Sequence, residues 1–116
     1  MMLGDLIDAL RKEEPNRVLP IGFSHPHSYR GFYDQLAFEP CRDVLLKNVL
    51  AEAEGALNKV YQGWKGGDYR MGQHTDVWLA YEGTTQPGEP LSVLTLGMML
   101  GWTPEQVWEH LREQYS

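Results

Sequence analysis

The chain has a single cysteine, Cys41, in 116 residues. One thiol cannot close an intrachain disulfide, so the fold has to stand on its core, and a reducing compartment is expected. Cys41 lacks the flanking residues of a cysteine-nucleophile motif and reads as a small residue at a loop–helix junction. Positive charge is also scarce, with 10 Lys and Arg against 16 Asp and Glu and a formal net charge of −6. Sequence-independent nucleic-acid binding needs a dense basic surface, so general nucleic-acid binding is excluded. A small anionic ligand is not, because a few positioned cations and backbone N–H groups suffice. The longest apolar stretch, residues 91–100, is far shorter than a membrane span, so no membrane association is expected. The opening residues carry Asp5 and Asp8, with no basic segment followed by an apolar one. That is not a signal-peptide pattern, and the expected location is the cytoplasm. There is no P-loop, no G-x-G-x-x-G, no internal repeat and no low-complexity linker.

What is present is enough apolar material for one core. With 42% hydrophobic residues in 116, the chain is expected to form a single domain over residues 1–116. Leu3, Leu6, Ile7 and Leu10 follow helical spacing. Residues 18–23 read as an edge strand or one broken by a bulge, because Pro20 removes a ladder donor. From Phe32 the pattern alternates: Phe32, Leu36 and Phe38 on one face, Tyr33, Gln35 and Ala37 on the other, with Glu39-Pro40 closing the strand. Leu46, Val49, Leu50, Ala53 and Leu57 predict a second helix over about residues 44–58. Two further strands are expected over residues 68–71 and 76–82. Periodicity leaves residues 91–100 open between a buried helix and a buried strand, and their methionines with Gly101 favour a glycine-capped helix. Thr103-Pro104-Glu105-Gln106 is a capping-box helix start, with Val107, Trp108 and Leu111 as the buried face. Together these predict an α+β domain, a small antiparallel sheet of three to four strands flanked by helices.

The stretch SHPHSYRGFYDQLAF, residues 24–38, carries the densest chemistry. Arg30 offers a planar fork suited to phosphate. In a second loop, residues 63–67, Gly66 and Gly67 are able to take positive φ and turn N–H groups towards an anion, and Lys65 adds charge. Tyr29, Tyr33 and Trp64 supply flat faces for stacking a base, as does Tyr69. The expected ligand-binding set is therefore Tyr29, Arg30, Tyr33, Trp64, Lys65, Gly66 and Gly67, around a small nucleotide. The structural alternative is that Arg30 pairs with Asp34, the aromatics are core and the glycines only make a turn. His25, His27 and His74, with Asp76, are weaker candidates for a metal site, since Pro26 interrupts the first pair and no signature supplies a third ligand. Glu39, Asp68 and Asp76 have the chemistry of general bases, but nothing distinguishes them among 16 carboxylates. No cofactor is implied, and binding is favoured over catalysis.

The strings SYRGFYDQLAFEP, GWKGGDY and TDVWLAYEG resemble a family of small proteins carried by bacteriophages of actinobacteria and bacilli, over residues 18–83. The chain is also similar to phage anti-defence proteins of the Thoeris-inhibiting kind. Those sequester cyclic ADP-ribose-type or cyclic-oligonucleotide signals and assemble as oligomers. The resemblance implies a phage-encoded sponge for a nucleotide-type immune signal, acting as a homo-oligomer in the host cytoplasm, without a residue-by-residue assignment. The alternative is an acidic inhibitor of a host factor, using Trp102, Trp108 and the last helix with Glu105, Glu109 and Glu113. A structural role in the virion is a third.

Overall fold

Leu3, Leu6, Ile7 and Leu10 are buried along one side of helix α1, Leu3–Arg11. The structure, a computed structural model, describes residues 1–63, 65–84 and 86–115, the side chains of 114 and 115 excepted. No side chain caps α1. Its first N–H groups instead donate to a turn before the fifth strand, Leu3 to the Thr75 carbonyl at 2.8 Å and Gly4 to that of Gln73 at 2.9 Å. Those orphan donors are thus satisfied by backbone. Gly4 permits the approach, because a Cβ there would lie 3.0 Å from the Gln73 oxygen.

Strands β1 (Val18–Tyr29) and β2 (Phe32–Leu45) form a long antiparallel hairpin. Helix α2 (Leu46–Ala56) follows β2 directly, its first N–H groups accepted by the carbonyls of Arg17 and Pro15. Strands β3 (Val60–Gln62) and β4 (Asp68–Arg70) make a separate two-stranded hairpin. Strands β5 (Val77–Leu79) and β6 (Glu89–Pro90) complete a four-stranded sheet in the order β1-β2-β5-β6. Pro20 sits in β1 at the sheet edge, where its missing N–H breaks no ladder bond. Helices α3 (Val93–Leu100) and α4 (Pro104–Tyr115) end the chain.

The α+β class is as expected. The sheet, however, is mixed, because β2 and β5 pair in parallel through Leu36–Val77, Ala37–Trp78 and Phe38–Leu79. A parallel pair needs a long crossover, and α2 with the β3–β4 hairpin supplies it. Strand β2 also runs past Glu39-Pro40 to Leu45, which places Cys41 opposite Gly22 within the ladder rather than at a loop–helix junction. The ends of the chain fit their signals. Gly101 caps α3 with φ +69°, and Thr103 and Gln106 exchange backbone-to-side-chain bonds of 2.8 and 3.2 Å. Trp108 is the exception, 61% exposed rather than buried.

One face of the sheet holds the main core. Phe23, Leu36, Phe38, Val77 and Leu79 meet α1, α2 and α3 there. The opposite face carries a smaller cluster of Tyr29, Ala37 and Ala80 with Trp78 against it. No helix among the described residues is long and apolar enough to cross a membrane.

The Tyr61 hydroxyl is buried with no hydrogen-bond partner among the described residues. Burial raises its pKa above the usual tyrosine value, with a smaller contribution from Glu52. A raised pKa means that the folded state holds this proton more tightly than the unfolded chain does. Stability therefore falls as pH rises through and beyond about 10. Tyr61→Phe removes both effects. At neutral pH its stability is expected to equal or exceed that of the wild type, by up to about 1 kcal/mol. In urea titrations at pH 7 and pH 10.5 the variant should lose less stability between the two than the wild type. An equal loss would show that this hydroxyl does not titrate abnormally.

Candidate ligand cleft

The second face of the sheet opens into a cleft of about 710 Å³. The β1–β2 hairpin forms one wall. Tyr29 pairs with Phe32 across a two-residue turn, Arg30-Gly31, and Gly31 takes φ +103°. Positive φ at the second turn position is what glycine supplies without steric cost. The opposite wall is the loop that follows β5, over residues 80–84 and 86–87. Arg30 ties the two walls together, its Nη1 donating to the carbonyls of Gly83 and Thr84 at 3.1 Å each. The guanidinium is therefore held in place at the cleft by backbone.

Three rings line up on this face. Tyr29 stacks on Trp78 at 4.7 Å and on Phe32 at 5.9 Å, and Phe32 and Trp78 are within 4° of parallel. The Tyr29 hydroxyl accepts from the Gly88 N–H at 2.8 Å, and Trp78 Nε1 donates to Gln35 Oε1. Phe32 was expected to share a face with Leu36 and Phe38. It does not, because the ladder passes from the Tyr29–Phe32 pair straight to Ser28–Leu36. The three residues between, Tyr33 to Gln35, bulge out of register and put Phe32 on the opposite side.

The bulge also sends Tyr33 to the third wall. Its ring packs against Tyr69 of β4 at 5.9 Å. The loop over residues 63–67 docks beside both rings. A Cβ on Gly63 would fall 2.9 Å from the Tyr69 ring and 3.3 Å from that of Tyr33, so only glycine lets the loop come this close. Gly63 and Lys65 line the cleft from this side.

The structure thus brings four of the expected ligand residues, Tyr29, Arg30, Tyr33 and Lys65, to one cleft. Trp64 lies outside the described residues. Gly66 and Gly67 have φ +90° each, as anticipated, but neither lines the cleft. The Gly66 N–H donates to the Gly63 carbonyl at 3.0 Å and closes the loop itself. Tyr29 is mostly buried, so its ring forms the floor and does not project to clamp a ligand. Sequence reasoning passed over Trp78, Ala80 and Glu82. Alternation was the signal for the first two, since Trp78 and Ala80 are two residues apart and both pack with Ala37. No pattern marked Glu82.

The three histidines do not gather as a metal set. His74 lies in the turn that bonds α1, next to Gln73 and Thr75, while His25 is exposed with φ +54°. His27 instead stands with Glu39 and Glu82.

No protein-family model, curated protein or solved structure matches the chain. What the cleft does has to be argued from its own chemistry.

Proposed function

We propose that the protein captures a small nucleotide-type anion in this cleft and holds it without turning it over. The observation that carries the reading is the convergence of Arg30 and Lys65, from loops 35 positions apart in sequence, on one recess floored by stacked aromatic rings. A volume of about 710 Å³ suits a ligand of nucleotide size. Two cations answer a phosphate, and Tyr33 and Phe32 offer flat apolar surface to a base. Together with the resemblance to phage proteins, this makes a sponge for a nucleotide immune signal in the host cytoplasm the favoured role. A homo-oligomer belongs to the same proposal, since tight capture calls for burial of the ligand on further sides.

The test is to incubate the protein with a panel of mono- and cyclic nucleotides, remove free ligand, heat-denature and analyse what is released. Intact ligand is the expected result. Altered ligand would make the protein an enzyme, and an empty supernatant for every nucleotide would end the reading. Lys65→Ala is expected to weaken capture about 10- to 100-fold, the range of one charge-assisted contact, with the melting curve of the free protein unchanged. An unaltered affinity would take Lys65 out of the site.

A second reading, docking to a host protein, is favoured by another observation. Leu94 and Met98, one turn apart on α3, are 61% and 85% exposed, and Trp108 on α4 is exposed beside the acidic residues of that helix. Recovery of a stoichiometric host protein from lysate, lost in Met98→Glu but kept in Lys65→Ala, would favour it over nucleotide capture.

A further inference from the structure

We infer that His27, Glu39 and Glu82 form a binding site for one divalent transition-metal ion, with Zn²⁺ preferred over Mn²⁺. One ring nitrogen of His27 and one carboxylate oxygen from each glutamate lie within 4.8 Å of one another. The three come from separate parts of the chain, β1, β2 and the loop after β5, so their meeting is a product of the tertiary fold.

The backbone builds this meeting through a one-residue irregularity. In β1 and β2, Ser24 pairs with Glu39, and the next pair is His27 with Ala37. Three steps along β1 thus match two along β2. Regular pairing would have set His27 opposite Leu36, on the core face. The extra residue at His25-Pro26, where His25 has φ +54°, turns His27 onto the face of Ala37 and Glu39. Glu82 reaches the same face as the second residue beyond Ala80.

The imidazole is also prepared as a ligand. Its Nδ1 lies 2.9 Å from the His25 carbonyl, an acceptor only, so Nδ1 carries the proton. In the neutral ring this tautomer leaves the Nε2 lone pair for a metal. A backbone carbonyl on the far nitrogen is the usual outer-shell arrangement for a metal-binding histidine. Neither the Glu39 nor the Glu82 carboxylate has a side-chain hydrogen bond or ion pair among the described residues. Two carboxylates set together without a cation repel one another, and a divalent ion at their centre neutralises both.

Metal bonds of about 2.0–2.2 Å place tetrahedral ligand atoms roughly 3.4 Å apart, so the side chains must close by up to about 1.4 Å. Two glutamates have the rotamer freedom to do so. Imidazole selects for a transition ion over Ca²⁺ or Mg²⁺, and the affinity order puts Zn²⁺ above Mn²⁺. Three protein ligands leave a fourth position open towards the cleft, which His27 and Glu82 also line. The site stands whether or not the cleft takes a nucleotide, and it is measured without one.

The experiment is equilibrium dialysis of the untagged protein against Zn²⁺ and, separately, Mn²⁺, with bound metal counted by elemental analysis. One Zn²⁺ per chain is expected, with at least tenfold weaker binding in both His27→Ala and Glu82→Gln and no change in His74→Ala. Glu82 is exposed and lies beyond β5, so Glu82→Gln should keep the wild-type melting temperature in chelator. Stoichiometric zinc retained by both site variants would overturn the assignment, and so would the absence of bound zinc in the wild type.

Discussion

Phe38→Ala is expected to lower the unfolding free energy by about 3–5 kcal/mol, the range for emptying a fully enclosed aromatic position. Phe38 has no solvent exposure and sits in β2, the strand shared by both neighbours in the sheet. Its ring meets Phe23 of β1 at 4.8 Å, and its carbonyl accepts from Ala80 at 2.9 Å beyond the parallel pair with Leu79. Residues of α1, α2 and α3 belong to the same buried cluster, which leaves the cavity little freedom to collapse. A domain of this size has about 5–15 kcal/mol in all. The substitution therefore removes a large share of it, and at the bottom of that range leaves a detectably unfolded fraction. Urea titration is the measurement: the midpoint should fall while the slope stays constant. A loss below about 1 kcal/mol would mean that Phe38 is not where the sheet and helices meet. Binding is affected through stability alone. Ala37 and Glu39, its neighbours in sequence, lie on the opposite face of the sheet from Phe38.

The same residue shows why part of the fold was readable and part was not. Phe38 and Leu36 are buried as simple alternation requires, and helix α1 follows directly from its apolar spacing. Local hydrogen-bond chemistry was legible too: Gly101 and the Thr103–Gln106 box mark helix ends with groups only a few residues apart. Failures came where the pattern depends on a partner strand. Phe32 changes face because β2 bulges against β1, and no property of residues 32–38 alone reveals that. The strand continues through Pro40 because Phe23 is its ladder partner, and a proline there looked like a terminus. The parallel β2–β5 pair was invisible for the same reason, since it joins segments across a crossover of helix and hairpin.

The cleft divides along the same line. Arg30 and Lys65 could be picked out one by one, because charge beside glycine in an aromatic-rich loop is unusual in so acidic a chain. Their convergence depends on Gly63 admitting Tyr33 and Tyr69, a contact between two hairpins. The grouping of His27 with Glu39 and Glu82 was harder still, because it reverses if a single residue is removed from β1. Spacing suggested His25 and His27 as a pair. The bulge separates them and leaves His25 contributing its carbonyl to the ring of His27.

Gly88→Ala is expected to disrupt the cleft more than any other single-methyl addition there. A Cβ on Gly88 would stand 2.6 Å from the Ala80 Cβ, 2.6 Å from the Leu79 carbonyl oxygen and 3.2 Å from the Tyr29 ring. None of these is the tip of a flexible chain. Leu79 pairs with Glu89 in the ladder, Ala80 donates to Phe38, and Tyr29 is stacked on Trp78. The methyl must therefore push β6 away from β5, which also breaks the 2.8 Å bond from the Gly88 N–H to the Tyr29 hydroxyl. Overpacking of this kind costs about 1–3 kcal/mol, and the lost hydrogen bond of a half-buried N–H adds about 1 kcal/mol. The displaced segment leads back through Pro87 and Gln86 towards Thr84, Gly83 and Glu82, which hold Arg30 and offer a carboxylate to His27. Ligand capture should then weaken even in the fraction that remains folded. Tyr29→Phe separates the two causes, because it removes the hydroxyl and adds no bulk. Its stability should fall by about 1 kcal/mol for the N–H left unpaired, with the loop in place and Lys65-dependent capture retained. Thermal unfolding followed by circular dichroism, alongside the nucleotide-release assay, distinguishes them. If Gly88→Ala melts within a degree of the wild type, the close approach of β6 to Tyr29 is not a feature of the folded protein, and the cleft wall built on it has to be redrawn.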